Sequence, residues 1–336
     1  MKRFIVLLVA ASLALGVGVT GAGAAAPQNL LIATATMGGT YYPVGVAIGT
    51  LISIKLGSKN NITATAINSA GSGENIQMMK NNECQLSILQ GLFGAMAYYG
   101  KGQYEGQAFK DFRSISMLWE NVEHFALLKK YAKTGNINDL KGLNEKFSIG
   151  KRGSGTEGSG LVILGGLGIE IEKDYKPEYL AYDPSASAMM DNRIVGANLP
   201  AGPPVSSVTM LYAQLGEKKV AVLDFSDADI AAVRKAFPVW TRYVVKKGTY
   251  PGQMKDINTI AQPNFLACRP DLPEETVYLI TKTIFENLPF LHNIHSATKA
   301  MSLDRAVGGL PAPLHPGALK YYKEKGLSIP SELIAQ

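Results

Sequence analysis

Apolar and polar positions switch between two periods along the chain. LLIATAT (30–36) is a short apolar run with Thr on one face and reads as a buried strand. PVGVAIGTLISIKL (43–56) carries apolar residues at helical spacing, and Pro43 suits a first helical turn. NITATAINS (61–69) reads as a second strand, ENIQMMKNN (74–82) as a short amphipathic helix and CQLSILQ (84–90) as a third strand. The pattern restarts at KFSIG (146–150), followed by a turn and the helix EGSGLVILGGLGI (157–169). YKPEYLAY and RIVGANLP are extended and flank DPSASAMMDN, a helix with Asp183 as its cap and Pro184 in its first turn. A helix near PVSSVTMLYAQL, the strand KKVAVLDF and the helix SDADIAAVRKAF complete this unit. The C-terminal third reads as mostly helical, with PEETVYLITKTIFEN and HPGALKYYKEKG as its clearest segments. Strand–helix–strand repeats predict α/β architecture, each unit a mostly parallel sheet flanked by helices.

Three turns then stand out: MGGTYY (37–42), NSAGSGEN (68–75) and RGSGT (152–156). Each puts glycine beside a hydroxyl residue where a helix should begin. Helix N-termini expose unpaired N–H groups and a partial positive charge. Glycine admits close approach of a ligand to the backbone, so the combination suits a carboxylate or phosphate. Any one of these turns is also an ordinary capped turn; three at equivalent places in two α/β units favour a shared site. Neither nucleotide fingerprint, G-x-G-x-x-G nor G-x-x-x-x-G-K-[ST], fits them.

Charge and composition narrow the class. The chain has 336 residues, 46% hydrophobic and 18% charged, enough for two domains. Lys2 and Arg3, the apolar run Phe4–Val19 and the small residues of TGAGAAAP read as an export signal cleaved near Ala24–Ala26. The apolar run is short for a membrane anchor, and a periplasmic location is expected. Losing Lys2 and Arg3 reduces 33 basic residues to 31 against 27 acidic, near +4 and dispersed. Nucleic-acid binders carry a denser basic stripe. Cys84 and Cys268 read as buried, unpaired thiols, with one bridge as the alternative. No G-x-S-x-G surrounds Ser72 or Ser154. His292 and His295 lie on adjacent helical turns with no further ligand nearby, so neither metal nor cofactor is expected.

TMGGTYYPVG, INSAGSGENIQMMKNNECQLSILQ and SIGKRGSGTEGSG, in that order, resemble the substrate-binding proteins of tripartite ATP-independent periplasmic transporters, specifically the TAXI type. The resemblance implies a two-lobed periplasmic binding protein, class II-like, that closes on a ligand and is no enzyme. Residues 26–125 and 241–336 would form lobe I and 126–240 lobe II, after a signal peptide over 1–25. The implied ligand is a small carboxylate or amino acid, glutamate or another dicarboxylate favoured, passed to an ion-gradient-driven membrane permease by a monomeric receptor. By position, Thr40 and Tyr41 would line the first turn, Ser69, Ser72 and Asn75 the second, and Gln90 the end of the third strand. Ser154, Gly155 and Thr156 would face them from the other lobe. Two departures stand out. Lys151-Arg152 replaces the usual Ala-Pro before Gly-Ser-Gly-Thr, and NNECQ, with Gln85 for an acid, replaces Gly-Glu-Ala-Asp. Arg152 could grip a carboxylate bidentately, or both cations could face solvent. An exported sensor or adhesin of the same fold, or a secreted serine hydrolase, is the alternative.

Overall fold

A computed structural model describes residues 26–335; the export signal expected over 1–25 lies outside the described residues. The first unit runs β1 (Gln28–Ala33), α1 (Tyr41–Asn60), β2 (Ile62–Ile67), α2 (Ser72–Lys80), β3 (Leu86–Gln90), α3 (Gly91–Tyr99) and β4 (Arg113–Val122). The chain then crosses to a second unit: β5 (Phe125–Leu128), β6 (Lys146–Ser148), α4 (Gly155–Gly166), β7 (Lys176–Glu178), α5 (Tyr182–Met190), β8 (Gly196–Asn198), α6 (Ser206–Leu215), β9 (Val220–Val222) and α7 (Asp227–Ala236). It returns through β10 (Thr241–Val245) and β11 (Ile257–Cys268), and ends with α8 (Glu274–Phe285), α9 (Leu288–Ile294) and α10 (Pro316–Glu324).

The two α/β lobes form as the sequence predicts; their sheets, expected mostly parallel, are mixed. In the first, β1 pairs in parallel with β2 and β3, while β11 runs antiparallel to β3, β4 and β10. In the second, β6 lies parallel to β7 and β8, and β5 runs antiparallel to β8 and β9. The parallel halves come from the strand–helix–strand repeats, whose crossover helices demand that direction. The antiparallel strands are those that carry the chain into and out of each lobe.

The C-terminal third departs from its helical reading at residues 241–268, which form β10 and the central strand β11. Residues 113–128, β4 and β5, were likewise not assigned from the pattern. β4 and β11 are buried along nearly their whole length, so neither shows a polar face to give a period of two. Pro263 inside β11 obscures it further; the ladder with β4 shifts register there, as a residue lacking an N–H requires.

Two apolar cores support the lobes. One packs α1, α8 and α10 over the first sheet, through Ile48, Ile52, Val277, Ile280 and Tyr322. The other is continuous from Leu92 and Phe93 of the first lobe to Phe125, Phe147 and Val208 of the second. Cys84 and Cys268 are buried free thiols; burial pushes the Cys84 thiol up to about 12. No described helix is long and apolar enough to cross a membrane.

Candidate functional site: a cleft of helix N-termini

In both lobes the parallel strands end at one side, and each is followed by a turn into a helix. α1 and α2 start there in the first lobe, α4 and α5 in the second. Their opening residues, Thr40–Tyr41, Gly71–Ser72, Ser154–Gly155–Thr156 and Ala181–Tyr182, line one cavity between the lobes. Gln90, N-cap of α3, lines it as well. Each N-terminus contributes a partial positive charge of roughly half a unit at its tip. The amides of Ser72, Gly155 and Thr156 have no acceptor among the described residues. The cavity is small, about 30 Å³, room for two or three waters or a ligand of few atoms.

The lobes touch around this cavity. Glu74 N donates to Gly153 O at 3.0 Å, Thr40 Oγ1 to Gly202 O at 2.9 Å and Ser207 N to Gly38 O at 3.3 Å. Glycine is required at two of these contacts. Gly38 sits at φ +90°, and a Cβ there would lie 2.2 Å from Asp183 Oδ1 of the opposite lobe. At Gly73 a Cβ would lie 2.3 Å from Gly153 O. The glycines of these turns therefore serve the approach of the two lobes as well as that of a ligand.

The structure gathers seven of the ten predicted site residues at the cavity: Thr40, Tyr41, Ser72, Gln90, Ser154, Gly155 and Thr156. Three belong elsewhere. Ser69 and Asn75 are turned inward: Ser69 Oγ lies 2.6 Å from Asn75 Oδ1, and Asn75 Nδ2 donates to Thr34 O at 2.7 Å and Ile88 O at 2.9 Å. They tie the end of β1 and the middle of β3 to the start of α2 by giving those carbonyls a buried donor. Arg152 also leaves the cavity. Its guanidinium stacks on Tyr179, 3.5 Å from the ring centroid, and its side chain is 71% exposed. Lys151, itself exposed, is the one cationic residue at the cavity's edge among the described residues.

Other lining residues escaped the sequence reading: Asn121 at the end of β4, and Tyr182 with Pro200. Tyr182 Oη donates to Pro200 O and lies 2.9 Å from Thr156 Oγ1, so its ring closes one wall. Burial raises the Tyr182 and Tyr41 phenols, which stay protonated as donors. Tyr41 Oη lies 2.5 Å from the Asn264 amide, whose oxygen accepts from Trp119 Nε1 when Nδ2 faces the phenol. Asp183, read as the cap of α5, is inside that helix; Ala181 holds the N-cap position. This helix start carries no glycine, which is why the Gly-hydroxyl signal passed over it.

Ser72 Oγ accepts from Gln90 N at 3.0 Å, tying the start of α2 to the end of β3, and Ser154 Oγ caps α4 by accepting from Glu157 N at 3.0 Å. No histidine lines the cavity. His124 is buried with Nε2 2.7 Å from Tyr250 Oη, and His295 and His315 cap other helical turns. The geometry pairs neither serine with a base. No cluster of three or more metal-ligating side chains occurs among the described residues.

The sequence profile of the NMT1-like family matches residues 32–326, nearly the whole described chain. This chain belongs to the NMT1-like family. The solved structures it is similar to include MatC from Rhodopseudomonas palustris with bound malate, at 13% identity over 88% of this chain and 97% of that one, TM-score 0.54. PhnD1 from Prochlorococcus marinus, in complex with methylphosphonate, is similar at 15% identity over 82% of this chain and 91% of that one, TM-score 0.51. The periplasmic binding protein BugD is similar at 14% identity over 89% and 93%, TM-score 0.51. At these identities the likeness is one of fold: this NMT1-like chain has the two-lobed architecture of periplasmic solute-binding proteins.

Proposed function

We propose that this NMT1-like protein is an exported receptor for a small carboxylate, which it encloses between its lobes and delivers to an ion-gradient-driven membrane permease, as the TAXI-like motifs imply. Four helix starts surround the cavity, enough donors for a dicarboxylate once the lobes part to admit one. One observation carries the reading: α1, α2, α4 and α5 aim their N-termini at a single inter-lobe cavity that Lys151 also lines. Unpaired amides and helix dipoles favour an anion there without any bound metal. Two neighbours of the same fold carry small anions, malate in MatC and methylphosphonate in PhnD1. Ser72, Gly155, Thr156 and Lys151 are the residues assigned to the anionic group, with Tyr182 and Tyr41 as walls.

Calorimetric titration with a panel of mono- and dicarboxylates tests this. Binding in the micromolar range corresponds to about −8 kcal/mol, which a few charge-assisted hydrogen bonds of roughly 1.5–3 kcal/mol each supply. Lys151→Met is expected to weaken every carboxylate that binds, and Arg152→Ala to weaken none. A flat panel, or equal losses in the two variants, would overturn the assignment.

A further inference from the structure

Two side chains in the cavity wall have no role in the anion site just described. Gln90 is 3% exposed and Asn121 1% exposed, and both line the cavity. Gln90 Oε1 and Asn121 Nδ2 are buried without a hydrogen-bond partner among the described residues. Leaving a buried amide unpaired is costly, and a native core rarely tolerates it without a purpose. The two residues flank β11 of the first sheet: Gln90 closes β3 opposite Asn264 of β11, and Asn121 stands near the end of β4 opposite Gln262 of the same strand. One atom is an acceptor and the other a donor. A hydroxyl group, which donates once and accepts twice, answers both.

The charges around the cavity set the other half of the ligand. No aspartate or glutamate lines it. The nearby acids are engaged in their own turns: Glu74 Oε2 accepts from Ala70 N and Glu157 Oε2 from Gly153 N, both at 2.6 Å. Asp183 packs against Gly38, outside the lining. An α-ammonium placed here would meet four helix N-termini and Lys151 with no carboxylate to balance it, an unfavourable like-charge arrangement.

We infer that the ligand is a hydroxycarboxylate without an amino group, its carboxylate held at the helix N-termini and Lys151 and its hydroxyl held between Gln90 Oε1 and Asn121 Nδ2. This rests on the carboxylate-receptor reading and narrows it. Glutamate, favoured by the motif resemblance, is disfavoured by the charges around the cavity.

The test uses isosteric trios that differ only in one substituent: lactate, propionate and alanine, then malate, succinate and aspartate. Each is titrated calorimetrically into the purified protein. In the trio that binds, the hydroxy acid should bind about tenfold or more tightly than its deoxy analogue, since the deoxy ligand leaves both amides unpaired. The amino acid should bind more weakly still. Gln90→Leu and Asn121→Leu should each erase most of the hydroxyl preference while leaving the deoxy analogue's affinity within about threefold. Because each removes an unpaired polar atom, neither should lower the melting temperature of the ligand-free protein. Equal affinity for hydroxy and deoxy acids, or tighter binding of the amino acid, overturns the inference and leaves the receptor reading standing. Failure of all six to bind, together with a flat wider panel, overturns both.

Discussion

Two pairs of buried polar side chains sit at the strand ends of the first sheet and have opposite bonding. Ser69 and Asn75 are saturated. Asn75 Nδ2 reaches two carbonyls, Asn75 Oδ1 lies 2.6 Å from Ser69 Oγ, and Ser69 Oγ accepts Gly71 N at 3.0 Å. Gln90 and Asn121 each hold a buried atom without a partner among the described residues. All four are small polar residues beside one cleft, yet the first pair holds the turn in shape and the second faces the cavity. Saturation separates scaffold from site: a fully bonded buried amide has nothing left to offer a ligand, whereas an unbonded one is stabilised when something enters.

Breaking the saturated pair should have the largest effect. Asn75→Ala strands the carbonyl of Ile88 in a buried place, at about 1–3 kcal/mol, and leaves Thr34 O with Ser69 Oγ alone, at 3.1 Å. The expected outcome is a loss of roughly 1–3 kcal/mol in urea unfolding, with whatever protein remains folded still binding ligand. A variant of unchanged stability and abolished binding would reverse the comparison and return Asn75 to the site.

Next in size is the seam that lets both lobes reach the cavity. Gly73→Ala places a methyl group 2.3 Å from Gly153 O. The clash lies between the lobes, so parting them relieves it at less cost than unfolding either. Overpacking of about 1–3 kcal/mol, taken from closure, should raise Kd by roughly 5–150-fold. The unfolding midpoint of the ligand-free protein should hold, and small-angle scattering should show a more extended shape. Unaltered affinity would mean that the closed arrangement of Glu74 N and Gly153 O is not the binding form.

How much of this was legible beforehand follows the range of each signal. The turns at 37–42, 68–75 and 152–156 are local: glycine, a hydroxyl and a helix start within a few residues, and all three reach the same cavity. Side-chain direction is not local. Lys151 and Arg152 are neighbours of like charge, and only the position of Tyr179 decides that the guanidinium stacks outward while the lysine lines the cleft. Asn75 and Gln90 are both amides at helix starts, and only the strands behind them decide which is consumed. Asn121 lies in no motif. It reaches the site because β4 pairs with β11, some 140 residues later in the chain and itself hidden by burial on both faces. The site's polar end was therefore the least readable part.

The smallest expected effect concerns a pair between the two extremes. Glu123 Oε2 accepts from Asn198 Nδ2 at 2.9 Å, but Glu123 Oε1 and Asn198 Oδ1 have no partner among the described residues. Glu123 lies where the chain crosses from β4 to β5, with the buried His124 beside it. Burial raises the Glu123 carboxyl from 4.5 to about 8 and lowers the His124 imidazole from 6.5 to about 4. Between pH 4.5 and 8 the unfolded chain has released the carboxyl proton while the folded chain keeps it, so stability falls as pH rises. Between pH 4 and 6.5 the unfolded chain binds a proton on His124 that the folded chain refuses, so stability rises with pH. The two oppose each other up to pH 6.5; above it Glu123 acts alone, at up to about 1.4 kcal/mol per pH unit. Wild-type stability from urea unfolding should therefore drop by about 2 kcal/mol at most between pH 6.5 and 8 through this group. Glu123→Gln keeps an acceptor for Asn198 Nδ2 and adds an N–H for Asn198 Oδ1, so it should flatten that slope and gain on wild type as pH rises. Parallel slopes in the two proteins would show that Glu123 is ionised when folded, and that a half-bonded carboxyl here is tolerated as readily as the saturated amide of Asn75.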